Sequence, residues 1–141
     1  MVLAPPLPDL FARLSEPPDG ATRDETADFA AGWGAAIDRL LSLWTLPADW
    51  DDNGSPAPDR AALSGAIVFA EQQRKQWESP PSAGEGSLPP PHRIAPSCDG
   101  TVVLEWQTAT TYLEFEVVSA DAADGMMVAE GAAPIHYRLT W

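Results

Sequence analysis

A proline-rich segment divides this chain into two parts whose hydrophobic residues follow different periods. The segment reads SPPSAGEGSLPPP from Ser79 to Pro91, and it lacks the periodic apolar residues that a packed element needs. Before it, apolar residues recur at steps of three and four, as on one side of a helix; after it, they alternate with polar residues, as on a half-buried strand. This change predicts an α+β fold in which two N-terminal helices pack on one face of a four- or five-stranded, mostly antiparallel sheet.

The length of 141 residues fits one domain. Five prolines mark residues 1–21 as a proline-rich arm, which we expect to dock through Leu10, Phe11 and Leu14. We expect residues 22–141 to form a single α+β domain with a flexible linker at about residues 78–91.

Two amphipathic helices are predicted before the linker. Residues 22–25, Thr-Arg-Asp-Glu, have the form of a capping box, and an apolar stripe then predicts a helix from about Arg23 to Trp44. A second stripe predicts a helix from about Asp59 to Trp77. Gly32 and Gly34 lower the helix propensity of the first helix, and we expect them to permit close packing beside Trp33.

Alternating residues in the C-terminal third predict a β-hairpin. A turn at Thr108-Ala109 would pair Trp106 with Thr111, Leu104 with Leu113 and Val102 with Phe115, all on one face. The opposite, solvated face would then carry Val103, Glu105, Tyr112, Glu114 and Glu116.

Further strands are predicted around this hairpin. A turn at Cys98-Asp99-Gly100 lets residues 92–95 form a preceding strand. A second turn at Asp124-Gly125 precedes a strand at 126–129, and residues 135–141 alternate as a last strand.

The loop between the two predicted helices has the opening of a calcium-binding loop. Asp49, Asp51, Asn53 and Gly54 match positions one, three, five and six of that motif. The bidentate Glu required at position twelve is replaced by Arg60, and prolines stand at positions eight and ten. The mismatch favours a structural corner, in which Asp or Asn caps the next helix, Gly54 takes a positive φ and Trp50 seals the turn.

The formal net charge of −13 constrains the partners of this chain. An acidic protein repels phosphate, so we expect no nucleic-acid binding, whereas a basic protein is a suitable partner. Cys98 is the only cysteine, which excludes an internal disulfide, and no apolar run is long enough to cross a membrane. No signal peptide is evident, so we expect a cytoplasmic protein without membrane association.

The solvated strand face is the candidate partner-binding surface. It groups Glu105, Tyr112, Glu114 and Glu116, which suit a basic partner, although exposed carboxylates also serve solubility alone. A thiol–imidazole pair can be drawn from Cys98 and either histidine, but no local signature accompanies it. No phosphate loop, metal-ligand spacing or nucleophile elbow is present, so a non-catalytic protein without a cofactor is favoured over an enzyme.

Two motifs resemble a group of small bacterial proteins that have no assigned activity. Their pattern, LP-x-[ND]-W-D-G-x-G-A, is similar to Leu46–Ser55 here, with Asp52 in place of Gly and Ser55 in place of Ala. Their second pattern, P-D-G-x-[IV]-x-L-E-W, is similar to the segment from Pro96 to Trp106. The resemblance implies family membership and no mechanism. In it, Trp50, Asp51, Gly54, Asp99, Gly100 and Trp106 would be residues of a structural motif.

Three functional hypotheses follow. The first is a non-catalytic acidic protein-binding module, of the immunity or antitoxin type, that neutralises a basic partner. The second is a client-binding protein similar to secretion chaperones, and the third is a metal-dependent enzyme or calcium-binding module centred on Asp49, Asp51 and Asn53. The first two rest on analogy of size and charge.

Overall fold

The computed structural model describes residues 32–78 and 88–141 of the chain. Helix α1 spans Gly32–Ser42 and continues into a short 3₁₀ helix at Leu43–Thr45, and helix α2 spans Arg60–Glu78. The strands are β1 (Arg93–Pro96), β2 (Val102–Gln107), β3 (Thr111–Val117), β4 (Ala122–Ala129) and β5 (Ile135–Thr140). The predicted arm at 1–21, the capping box and Phe29 lie outside the described residues. Within them, no helix is both long and apolar enough to cross a lipid bilayer.

The five strands form one antiparallel meander in the order β1-β2-β3-β4-β5. The α+β class and the higher of the two predicted strand numbers are therefore confirmed. The inner face of the sheet carries Val102, Leu104, Trp106, Leu113, Phe115 and Val117, all buried. Short loops join successive strands, as expected where neighbours in sequence are neighbours in the sheet.

The predicted register of the β2–β3 hairpin was wrong by two residues. Leu104 pairs with Phe115, and Trp106 pairs with Leu113. The turn is centred on Ala109-Thr110, because the Thr108 N–H donates to the Thr111 carbonyl at 2.8 Å. Since side chains alternate with a period of two, a two-residue shift leaves every side chain on its predicted face.

The predicted turn at Asp124-Gly125 was also wrong, because both residues lie within β4. A Cβ atom at Gly125 would stand 2.6 Å from Cε2 of Tyr137 on the neighbouring strand. Glycine is therefore required here for the close approach of an aromatic ring, not for a change of chain direction.

The two helices match the predictions unequally. Helix α2 begins one residue after Asp59, whose carboxylate caps it by accepting the Ala61 N–H at 3.2 Å. Of the predicted helix from about Arg23 to Trp44, the described part is helical, as an α-helix to Ser42 and a 3₁₀ helix at Leu43–Thr45, and residues 23–31 lie outside the described residues. Gly32 has φ +77°, which differs from the α-helical value of about −63°. The packing role predicted for Gly34 was wrong as well, since a Cβ atom there would have no neighbour within 4 Å.

A glycine of α2 instead makes a close contact, with the connection between β3 and β4. A Cβ atom at Gly65 would overlap the Ser119 carbonyl oxygen and lie 2.9 Å from the carbonyl carbon of Ala120, both in the β3–β4 connection. Helix α2 therefore rests directly on backbone at this point.

The end of the predicted linker belongs to the hydrophobic core. Leu88, Pro89 and Pro90 are buried. The indole N–H of Trp33 donates to the Leu88 carbonyl at 2.9 Å, and that of Trp106 donates to the Pro89 carbonyl at 2.7 Å. Of the predicted linker at about residues 78–91, Glu78 lies in α2 and residues 88–90 are buried, whereas residues 79–87 lie outside the described residues.

Candidate functional site

The outer face of the sheet brings the predicted partner-binding residues together. Glu105 of β2 pairs directly with Glu114 of β3, and Glu116 pairs with Asp124 of β4. Cross-strand partners lie about 5 Å apart at their Cβ atoms, so these four carboxylates form one patch, called here the acidic patch. Its members are Glu105, Glu114, Glu116 and Asp124.

Tyr112 lies at one end of the acidic patch. Its hydroxyl donates to Glu105 at 3.1 Å and lies 3.5 Å from a Glu114 oxygen. Desolvation, followed by the negative potential of both glutamates, raises the pKa of Tyr112 above its usual value. The residue is therefore a neutral hydrogen-bond donor that holds two like charges close together.

Glu116 shows the unfavourable electrostatics of the patch. Partial burial is the main cause of its raised pKa, and the negative charges of Glu114, Asp124 and Asp99 raise it further. A hydrogen bond with Thr101 opposes the shift. Because each added proton or cation would relieve this repulsion, the patch is chemically suited to bind positive charge.

Arginines flank the acidic patch at two edges of the sheet. Arg93 of β1 lies 3.2 Å from Glu105, and Arg138 of β5 lies 2.8 Å from Asp124. Glu114 and Glu116 lie between these pairs. The sequence did not predict Asp124 as a member of the patch, because the Asp-Gly dipeptide is typical of a turn. The alternation of residues 135–141 did place Arg138, the partner of Asp124, on a strand.

The loop between the helices uses its carboxylates internally. One Asp51 oxygen accepts the Asn53 N–H at 3.0 Å, and the other accepts the Ser55 hydroxyl. These bonds, led by the Ser55 hydroxyl, lower the pKa of Asp51. Asp49 accepts the Gly54 N–H at 2.7 Å. Among residues 32–78 and 88–141, no group of three or more His, Cys, Asp or Glu side chains could hold a metal ion.

The same loop contacts the sheet through the second motif. The Asp59 N–H donates to the Gly100 carbonyl at 2.8 Å, and Gly100 has φ +85°. The Trp50 indole N–H donates to the Pro56 carbonyl at 3.1 Å, which closes the loop on itself. The residues that follow the first motif therefore lie beside Gly100 of the second motif, whereas Trp106 lies in the core.

The cysteine and the histidines are not assembled into a site. Cys98 is exposed after β1, and His92 precedes β1, so they lie at opposite ends of that strand. The Nδ1 atom of His92 accepts the Gln107 N–H at 2.9 Å. His136 lies on β5, at the far edge of the sheet from β1.

Comparison of the chain with protein-family models, with curated proteins and with solved structures found no match.

Proposed function

We propose that this protein is a non-catalytic binding module whose acidic patch receives a basic protein partner. The observation that carries the proposal is the direct pairing of Glu105 with Glu114 and of Glu116 with Asp124 on the outer face of the sheet. Like charges placed opposite each other destabilise a sheet. Arg93 and Arg138 compensate Glu105 and Asp124, and a basic partner would compensate Glu114 and Glu116.

The partner is proposed to be of the kind neutralised by immunity or antitoxin proteins, and the setting is proposed to be the cytoplasm. The chain charge of −13 would accelerate association with a basic protein and would discriminate against acidic ones. Tyr112 adds an aromatic ring beside the carboxylates, a residue type that is enriched in binding hot spots.

The residues of the two motifs that lie outside the acidic patch are proposed to be structural. Asp51 and Gly54 shape the loop, and the Asp59–Gly100 hydrogen bond connects the loop to the sheet. We also infer that both helices cover the inner face, since the Trp33 ring of α1 lies 6.3 Å from that of Trp106 and the Phe69 ring of α2 lies 5.8 Å from that of Phe115. This arrangement would leave the outer face for the partner.

The experiment compares charge-neutralised variants in binding to the partner. The partner is captured from the source organism, identified by mass spectrometry, purified and titrated calorimetrically. We expect the Glu105→Gln/Glu114→Gln/Glu116→Gln variant to bind at least about tenfold more weakly, because three charge contacts are lost. We also expect affinity to fall with added salt.

A matched control removes the same number of charges elsewhere. Asp38→Asn/Glu71→Gln/Glu130→Gln alters three exposed carboxylates that lie outside the acidic patch. Equal weakening by both triple variants would indicate a non-specific charge effect and would contradict the proposed site. Capture of no protein partner, or of a partner unaffected by the first variant, would reject the proposal.

A further inference from the structure

The last strand, β5, forms one edge of the sheet. Among the described residues, it pairs with β4 alone. At its end, the Trp141 N–H donates to the Asp121 carbonyl at 3.0 Å. Because backbone groups alternate in direction along an antiparallel strand, the N–H and C=O groups of every second residue of β5 face away from β4. These outward-facing residues are His136, Arg138 and Thr140.

The two edges of the sheet differ in how well they could accept a further strand. The edge strand β1 has four residues, and it places Pro96, which has no N–H, at an outward-facing position. The edge strand β5 has six residues and no proline. Its charged side chain, Arg138, lies 2.8 Å from Asp124 of β4 and so points away from the edge. Strand β5 therefore lacks the proline, the short length and the free charge that protect sheet edges from pairing.

The side chains of β5 are compatible with pairing to an identical strand. The inner-face residues of this segment are half-buried and pack against the core; they are Ile135, Tyr137, Leu139 and Trp141. Ile135–Thr140 contains no Asp or Glu, although the chain has 21 of them. A second β5 strand would thus extend the apolar layer without placing carboxylates opposite each other.

We propose that β5 is an interface through which two copies of this chain pair antiparallel and join their sheets. A twofold axis makes identical edge strands antiparallel. With the axis at Arg138, each Arg138 backbone bonds to its counterpart and each His136 backbone bonds to Thr140 of the second copy. Tyr137 then lies opposite Leu139 of the second copy on the inner face. The two Arg138 side chains face each other, but each remains paired with its own Asp124.

Charge makes the salt dependence of this dimer distinctive. Two copies that each carry a formal net charge of −13 repel each other, and two short strands make a small interface, so we expect a weak dimer. Added salt screens the repulsion and should strengthen the dimer. This is opposite to the salt dependence expected for the basic partner.

The test is sedimentation velocity on the full chain over a range of concentrations. We expect the wild type to change from monomer to dimer as concentration rises. Arg138→Pro removes an outward N–H that the monomer does not use, and symmetry then removes two hydrogen bonds from the dimer, so its dissociation constant should rise at least about tenfold. The matched control, Arg138→Ala, also loses the ion pair with Asp124 but keeps the N–H, so it should dimerise like the wild type. Thr140→Pro tests a second outward position, nearer the chain end, if Arg138→Pro does not fold.

Hydrogen–deuterium exchange locates the interface. The amides of His136, Arg138 and Thr140 should exchange more slowly as protein concentration rises, whereas the Tyr137 amide, which faces β4, should not change. A monomer at every concentration, or a dimer that both folded proline variants leave unaffected, would overturn the proposal. A monomeric wild type whose proline variants lose a captured partner would overturn it too, because the edge would then bind a strand of another protein.

The dimer and the basic partner are tested separately. Glu105→Gln/Glu114→Gln/Glu116→Gln should dimerise at least as tightly as the wild type, because each chain loses three negative charges that lie outside β5. Loss of the dimer in this variant would contradict the proposed interface, whereas loss of partner binding alone would leave it intact.

Discussion

Replacing Gly65 with alanine tests the contact between α2 and the sheet. Helix propensity alone predicts that Gly65→Ala stabilises the protein by about 1 kcal/mol. The structure predicts the opposite sign, because the new Cβ would overlap the Ser119 carbonyl oxygen and lie 2.9 Å from the Ala120 carbonyl carbon. These are backbone atoms of a connection that is closed by the Val118–Ala122 hydrogen bond, so they cannot rotate away as a side chain could.

The magnitude follows from two opposing effects. Overpacking a close contact costs about 1–3 kcal/mol, and the upper end applies here because the helix as a whole must move outward. Subtracting the gain in helix propensity leaves a net loss of about 2 kcal/mol in the free energy of unfolding. For a domain of this size, that loss lowers the melting temperature by about 4–8 °C.

The assay is urea denaturation followed by circular dichroism, with Gly34→Ala as the matched variant. Gly34 is also a helical glycine, but a Cβ atom there meets nothing within 4 Å, so we expect a gain of about 0.5–1 kcal/mol. A Gly65→Ala protein as stable as Gly34→Ala would refute the proposed backbone contact.

Three further predictions concern the loop and the sheet. Gly125→Ala should lower the free energy of unfolding by about 1–3 kcal/mol, because its Cβ would overlap the Tyr137 ring. In the same denaturation assay, Gly125→Ala/Tyr137→Leu should recover part of that loss. Ser55→Ala should cost about 1 kcal/mol, since the buried hydroxyl donates to Asp51, and no loss would argue against an internally bonded loop. Glu116→Gln should be more stable than the wild type at pH 7 by less than about 1 kcal/mol. The raised pKa of Glu116 in the folded state means that folding disfavours its charged form. The stability difference between Glu116→Gln and the wild type should therefore disappear as the pH falls below the unfolded pKa near 4.5. A series of melting curves at different pH values would detect this.

The faces of the strands were predictable, but the position of the turn between β2 and β3 was not. Alternation alone assigns Leu104 and Trp106 to the inner face, and that assignment survives any shift by an even number of residues. The turn position depends on Thr108, whose hydroxyl accepts the Thr111 N–H at 3.1 Å. Thr and Ala lack the positive-φ preference that identifies a hairpin turn, so the sequence contained no signal for choosing between adjacent positions.

At Asp124-Gly125 the sequence contains a strong turn signal where the structure has a strand. The dipeptide is a strong hairpin signal, but the glycine is required by the ring of Tyr137 across the strand pair. That requirement is visible only when the partner strand and its register are known. The acidic patch was consequently predicted without Asp124.

The hydrogen bonds from Trp33 and Trp106 to successive carbonyls have a consequence for dividing the protein into fragments. Trp33 precedes residues 79–87, whereas its acceptor, the Leu88 carbonyl, follows them. A chain cut within 79–87 would leave this indole on one piece and its acceptor on the other. Neither piece could bury the Trp33–Trp106 ring contact alone, so the two should regain tryptophan fluorescence of the native protein only when mixed. The two fragments could thus serve as a split reporter, whose fluorescence signal depends on reassembly of the helices with the sheet.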